Sequence, residues 1–259
     1  MNLKGKSAIV TGAARGVGKT IAELLASQGV SVAIADLDQD AAQSVAAAIE
    51  SAGGKAMAVA MDVTNQVAVN TATDRVASVF SGVDILVSNA GTRIVNPIEN
   101  YAFADWTNVL AIQVEGAFLT TRAALKYMVP NRRGGTVIYI GPVHSHEASP
   151  LKTAYLAAKL GLLGLARVLA KEGAAHNVRS HVIVHAPLIE QQIPEPNQAP
   201  GISRQESARR VIPGGAVDGL FTTVEEAVLY LCEFPSAALS GQSFVVSHGG
   251  FMQQEASVQ

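Results

Sequence analysis

Short runs that are apolar at nearly every position alternate along this chain with stretches of helical periodicity. That alternation constrains the fold more than any other feature. Strands buried on both faces read as continuous apolar runs, and strands that alternate with helices pack as a parallel sheet between two helical layers. Ser7-Ala8-Ile9-Val10-Thr11 is the first such run, and a helical pattern over Lys19 to Gln28, closed by Gly29, follows it. Val30 to Ala35 reads as the second strand, and Ala41 to Ala52, ahead of Gly53-Gly54, as the second helix. Further strands are predicted over Ala56 to Met61, Ile85 to Ser88, Thr136 to Ile140, Val178 to Val184 and Ser243 to Ser247. Long helical patterns occupy about Asp105 to Met128 and about Ala154 to Ala175. The expectation is one α/β domain over residues 1–259, a doubly wound parallel sheet of about seven strands with helices on both faces.

Composition supports a packed domain. Of 259 residues, 49% are hydrophobic and 15% charged, the latter well below the usual ~25%. That balance excludes disorder as the main state. A net charge of −2 supplies no basic field to neutralise phosphates, so nucleic acid is not an expected partner. The single cysteine, Cys232, cannot form an internal disulfide and fits a reducing, cytoplasmic compartment; it reads as a small core residue. The N-terminal Met1-Asn2-Leu3-Lys4-Gly5-Lys6 runs straight into a strand and does not read as a signal peptide. Lys159 and Arg167 interrupt the longest apolar region, so no membrane association is expected. His181 and His185 on one strand would stand roughly 13 Å apart, too far for one ion, and no metal site is expected. Arg132-Arg133 reads as a solvated turn. The stretch from about 185 to 215, rich in Pro, Gly, Gln and Arg, reads as a substrate loop after a strand's C-terminal end.

A glycine-rich turn, Thr11-Gly12-Ala13-Ala14-Arg15-Gly16-Val17-Gly18, joins the first strand to the first helix. Glycines at 12, 16 and 18 let the backbone turn tightly and let a pyrophosphate reach the helix N-terminus, where unpaired N–H groups and the helix dipole favour an anion. Asp36 ends the second strand, where an acid accepts hydrogen bonds from both ribose hydroxyls and repels a 2′-phosphate. The expected cofactor is therefore NAD, although Arg15 could instead contact a 2′-phosphate.

The Gly-x-x-x-Gly-x-Gly spacing resembles the short-chain dehydrogenase/reductase family, whose fold is Rossmann-type. Further motifs agree. Asp62-Val63 is similar to the family's adenine-contacting pair, and Ser88-Asn89-Ala90-Gly91 to its Asn-Asn-Ala-Gly, with Ser88 in place of the first Asn. Tyr155-Leu156-Ala157-Ala158-Lys159 is similar to its catalytic Tyr-x-x-x-Lys. Residues four apart share one helix face, and an ammonium near a phenol favours the phenolate. Tyr155 could then take a proton from an alcohol while hydride leaves for the nicotinamide. The resemblance also implies a homotetramer, and the apolar Leu160, Leu162, Leu163, Leu165 and Leu169 need more cover than one sheet face gives.

The chain departs from the family where the resemblance would place further catalytic groups. Pro142 stands at the position of the Ser, and Gln113 at that of the Asn in the helix after Trp106. His185-Ala186 replaces a Pro-Gly near the nicotinamide, and His248 an Asp before Gly249-Gly250. Within the family, the segments around Tyr155 and Pro187 resemble those of the 3-hydroxybutyrate dehydrogenases. By that resemblance His144, Lys152 and Gln192 would hold a substrate carboxylate, and Arg93 stands where a further carboxylate-binding Gln is expected. Two functions remain open: an NAD(H)-dependent oxidoreductase on a small secondary alcohol such as a 3-hydroxy acid, or a dinucleotide-binding protein with weak or no catalysis.

Overall fold

The computed structural model of the chain describes residues 3–130, 133–142, 150–185, 223–234 and 239–246. Strand β1 (Ser7–Thr11) leads into helix α1 (Gly16–Ser27), β2 (Ser31–Asp36), α2 (Gln39–Ser51), β3 (Lys55–Ala60), α3 (Gln66–Phe80) and β4 (Ile85–Ser88). The second half runs through α4 (Phe103–Leu110), a π-helical turn (Ala111–Glu115), α5 (Gly116–Met128), β5 (Gly135–Pro142), α6 (Thr153–Gly173), β6 (Val178–His185), α7 (Val224–Glu233) and β7 (Ser243–Val246). The strands form one seven-stranded sheet in the order β3-β2-β1-β4-β5-β6-β7, parallel throughout. This is the doubly wound architecture expected from the alternating pattern. The strand order reverses between β1 and β4, and ligands bind outside the carboxyl ends of the strands at such a reversal.

Two apolar layers sandwich the sheet. On one face Val10, Ile34, Ile85 and Ile138 pack with Ile21 and Leu25 of α1, Val45 of α2 and Leu231 of α7. On the other, Ile9, Leu86, Val137 and Tyr139 pack with Val76 of α3, Met128 of α5 and Leu162 of α6. Successive strand residues point to opposite faces, which is why the central strands are apolar at nearly every position. Each buried Val, Leu or Ile contributes about 1.5–3 kcal/mol, so these layers dominate stability.

Three details differ from the sequence reading. Helix α3 was not expected; its core face of Val69, Ala72, Val76 and Phe80 is diluted by Asn70, Thr71, Thr73 and Asp74. Arg133 is not a solvated turn residue. Its Nε and Nη2 donate to Asp84 at 3.2 and 3.1 Å, and Lys6 and the Ser7 amide also bond this buried carboxylate, tying the starts of β1 and β4 together. Finally, Thr153–His176 is one helical stretch long and apolar enough, by length and composition alone, to cross a membrane. Here it packs on the sheet through Leu162, Ala166 and Leu169, and its Lys159 is buried within the protein. Cys232 is buried in α7 as expected, and burial pushes its thiol up to about 12.

Candidate active site

The carboxyl end of β1 carries the glycine turn. Thr11 Oγ1 accepts hydrogen bonds from the Asn89 and Ala90 amides, both at 3.0 Å, across the β1–β4 reversal. Asn89 Nδ2 donates back to the Thr11 and Gly12 carbonyl oxygens at 3.0 and 3.1 Å. These four bonds lock the glycine turn to Asn89-Ala90-Gly91. Gly18 must lack a side chain, because a Cβ there would overlap the Gly12 carbonyl oxygen and Asn89 Nδ2. Gly16 is different. Its φ of +54° is left-handed, and a Cβ there would meet nothing within 4 Å.

Helix α1 begins at that open position with Arg15 as N-cap, no capping side chain and no acid in its first turn. By contrast, Asp38 caps α2 and Asn65 caps α3. Unsatisfied amides at a helix start, facing open space through Gly16, fit a pyrophosphate. Val17 packs against the core behind the turn. The residues present therefore suit a dinucleotide.

Asp36 closes β2 and is 9% exposed. Its two carboxylate oxygens accept from the Ala14 and Asp38 amides at 3.0 and 3.1 Å. An ionised carboxylate has about four acceptor sites, so Asp36 is held in place by the glycine turn with capacity to spare for two ribose hydroxyls. Arg15 reaches Asp38, with Nη2 3.7 Å from Oδ2. Asp62 follows β3 and accepts from the Thr64 amide and hydroxyl at 2.9 and 2.7 Å. Val63 is buried against Gly116, where an added Cβ would come within 2.8 Å of Val63 Cγ2. The Val63 side chain thus packs under α5, and its backbone is what remains for a ligand.

The first turns of α6 carry Tyr155 and Lys159. Lys159 Nζ lies 5.8 Å from the Tyr155 ring centroid and donates to the Ile140 carbonyl oxygen on β5 at 2.6 Å. Burial pushes the Lys159 ammonium down to about 8. Burial likewise raises the Tyr155 phenol above its ordinary value, with the Arg93 charge acting in the opposite direction. Arg93, which the sequence reading had assigned only to substrate binding, is thus a further cation whose charge reaches this phenol, beside Lys159.

Gln113 sits in the π-helical turn between α4 and α5, buried at 2% exposure. Its Nε2 donates to the Thr92 carbonyl oxygen at 2.6 Å, while its Oε1 is buried with no hydrogen-bond partner. Its Cδ would lie 3.5 Å from a Cβ placed on Gly91. The longer side chain thus anchors the segment leaving β4. Pro142 is the last residue of β5 and pairs in register with His185. Lacking a hydroxyl and an N–H, it offers no donor to a reacting oxygen.

The segments that carry Arg93 and Lys152 are joined by one backbone hydrogen bond. The Asn96 amide donates to the Leu151 carbonyl oxygen at 2.9 Å, which lays the Thr92–Asn96 segment beside the start of α6. Burial and the Arg93 charge both lower the Lys152 ammonium below its ordinary value. His144, Gln192 and His248 lie outside the described residues, as does the expected loop at 185–215 apart from His185, which ends β6. Among the described residues, no three His, Cys, Asp or Glu side chains form a group that could hold a metal ion.

Sequence reasoning missed two contributors. Thr11 holds the glycine turn to β4 through its hydroxyl; the only local signal is a polar residue ending an apolar strand. The π-helical turn places Gln113, and helical periodicity does not distinguish one widened turn from a regular helix.

The family model described as short chain dehydrogenase matches residues 6–191. The chain is 32% identical to D-beta-hydroxybutyrate dehydrogenase of Rhizobium meliloti, over 96% of this chain and 99% of that one. It is 31% identical to D-threitol dehydrogenase of Mycolicibacterium smegmatis, over 95% of this chain and 93% of the relative. Among solved structures, a candidate short-chain alcohol dehydrogenase from Sinorhizobium meliloti superimposes with a TM-score of 0.79 at 30% identity, covering 96% of this chain and 97% of its own.

Proposed function

The chain belongs to the short-chain dehydrogenase family of oxidoreductases, and from that premise we propose that it interconverts a small secondary alcohol, a 3-hydroxy acid such as 3-hydroxybutyrate, with its ketone, using NAD(H). The observation that carries this reading is the placement of Tyr155 and Lys159 on one face of α6, at the same carboxyl edge of the sheet as the glycine turn and Asp36.

Each residue has a distinct task. Asp36 accepts from the ribose diol and disfavours a 2′-phosphate. The amides opening α1 receive the pyrophosphate. Bound NAD supplies a hydride acceptor at its nicotinamide. Tyr155 receives the hydroxyl proton as the carbon–hydrogen bond breaks, and returns it in reduction. Lys159, fixed by Ile140, and Arg93 stabilise the phenolate. Lys152 holds the carboxylate of the acid.

The activity we propose is slow. Pro142 donates nothing to the developing oxyanion, and the Gln113 amide N–H is engaged by Thr92. Losing one well-placed oxyanion donor costs ~10²–10³ in rate. A dinucleotide-binding role without chemistry is not favoured, because D-beta-hydroxybutyrate dehydrogenase and D-threitol dehydrogenase are both named for dehydrogenation.

We also propose a homotetramer in a reducing, cytoplasmic setting. Phe118 of α5, with Leu160 and Val168 of α6, are exposed at 47, 43 and 53%, an apolar surface suited to a second copy of this chain. Light scattering at micromolar concentration should return an oligomeric mass; a monomer would refute the assembly.

The test of the function is NAD⁺ reduction with 3-hydroxybutyrate beside a panel of secondary alcohols. NADH formation with the hydroxy acid supports the reading. No turnover of any hydroxy acid or alcohol at saturating NAD⁺ overturns it.

A further inference from the structure

The turn that leads into α6 holds a conformation its side chain disfavours. Leu151, four residues before Tyr155, has a left-handed φ of +67°. Ser81 and Asn177 are the other non-glycine described residues with positive φ. Both close a helical segment, α3 and the short turn after α6, where a left-handed residue is usual. Leu151 closes nothing; it stands just before the N-cap of α6, Lys152. The left-handed region disfavours a residue with a side chain by roughly tenfold in population, so it persists only where the surroundings impose it.

Here the imposing contact comes from Asn96, whose amide donates to the Leu151 carbonyl oxygen at 2.9 Å. Asn96 is itself fixed. Its Nδ2 donates to the Asn100 carbonyl oxygen at 2.9 Å, and Pro97 after it disfavours the helical region for its backbone. The surrounding segment is anchored in turn. The Tyr101 hydroxyl donates to the Ile94 carbonyl oxygen at 3.2 Å, and Ile94 and Tyr101 pack with the buried Ala154 and Ala158 of α6. Those two alanines bracket Tyr155 along the helix. On the other side of Leu151, the Lys152 carbonyl oxygen accepts from the Leu156 amide at 2.9 Å and closes the first turn around Tyr155.

We propose that Asn96 and Leu151 form a clamp that positions Tyr155 for proton transfer, with Asn96 holding Leu151 left-handed and Leu151 setting where the first turn of α6 begins. Neither is a catalytic residue; both act through the helix start. Without the Asn96 side chain its amide is less firmly presented, Leu151 relaxes towards a negative φ, and the first turn shifts with its phenol. Small misplacements of a reacting group cost far more in rate than in stability. The kinetic consequence rests on the oxidoreductase reading above, whereas the clamp itself does not.

Two measurements test it on Asn96→Ala, Leu151→Gly and the double variant. Glycine takes a left-handed φ without steric cost, so it removes the drive to relax when the clamp is lost. The first measurement is steady-state kinetics with the best secondary alcohol. Asn96→Ala should lower kcat and kcat/KM alike by about fivefold, the scale of one hydrogen bond, with NADH affinity unchanged. In the Leu151→Gly background the same substitution should cost no more than about twofold, because the two residues act as one unit. The second measurement is amide hydrogen exchange, which needs no turnover. Asn96→Ala should speed exchange at Leu156 by about fivefold relative to Leu162, further along α6, and Leu151→Gly should suppress that gain.

An equal loss from Asn96→Ala in both backgrounds overturns the clamp and leaves the oxidoreductase reading standing. A raised KM with kcat unchanged does the same, because Asn96 then shapes substrate binding and not the place of Tyr155. A fall in thermal stability with kcat unchanged assigns Asn96 to the fold alone, and the proposal fails. No turnover of any alcohol by the wild type removes the oxidoreductase reading, and exchange then decides the clamp. Faster Leu156 exchange that Leu151→Gly suppresses keeps it, and unchanged exchange sinks it.

Discussion

Lys159 donates its ammonium proton to the Ile140 carbonyl oxygen at 2.6 Å, joining the helix that carries Tyr155 to the strand that ends in Pro142. The bond gives a buried cation a fixed partner, and it also sets the depth of Tyr155 over the sheet edge. A donor introduced at position 142 would lie two residues along the strand from that anchor.

The first prediction follows from that spacing. Pro142→Ser should raise turnover with the preferred substrate, by up to ~10²-fold if the hydroxyl reaches the reacting oxygen. Gln113→Asn withdraws the Thr92 anchor, so alone it should not help. Combined with Pro142→Ser its effect should be non-additive, since residues acting as one unit are coupled. Steady-state kinetics on the two single variants and the double variant check this. Wild-type turnover already fast and unchanged in Pro142→Ser would mean another group polarises the substrate.

The proposed preference for NAD rests on Asp36, with Asp38 adjusting it through Arg15. Asp36 is positioned by the Ala14 and Asp38 amides, so NADH should bind more tightly than NADPH. Asp38 pairs with Arg15 and caps α2 through the Ala41 amide. Asp38→Asn keeps the cap, because Asn is an equally good N-cap, but frees Arg15 for a 2′-phosphate. Fluorescence titration should show NADPH affinity rising about threefold in Asp38→Asn, the scale of an exposed ion pair. Equal or tighter NADPH binding by the wild type would remove Asp36 from its assigned role.

The third prediction concerns acid stability. His181 lies buried in β6 with its ring edge on Phe244, and burial, with the nearby Arg179 charge, lowers it to about 4. The unfolded chain protonates this imidazole below about 6.5, while the folded chain keeps it neutral down to about 4. Stability should therefore be intact above pH 7 and fall as pH drops from about 6.5 towards 4. This one group should cost about 2 kcal/mol between pH 7 and pH 5. Urea denaturation at the two pH values, in wild type and His181→Phe, isolates that contribution. A pH dependence identical in the two proteins would show that His181 is not its source.

Much of the fold was legible because strands buried on both faces are apolar along their middles, as β1, β2 and β4 are between their polar end residues. Helix α3 was not, because its single buried stripe is broken by polar residues. The glycine turn and Asp36 could be read from their placement at strand ends, whereas Tyr155 and Lys159 stood out only through the resemblance to a family motif. What spacing could not show is direction. The Gln113 amide turns to Thr92, and the Lys159 ammonium to Ile140, because buried polar groups take whichever partner the tertiary packing offers. The Asn96–Leu151 hydrogen bond likewise joins segments far apart in the chain, which local spacing does not reveal.

The most direct measurement is a stopped-flow single turnover of NAD⁺ with excess 3-hydroxybutyrate, or the secondary alcohol it turns over best, in wild type and Tyr155→Phe. The central claim is that the Tyr155 hydroxyl transfers the proton that accompanies hydride transfer. Wild type should form NADH, and Tyr155→Phe should form none while still binding NADH within about threefold of wild type, because only the hydroxyl is removed. Equal NADH formation in the two proteins would contradict the account.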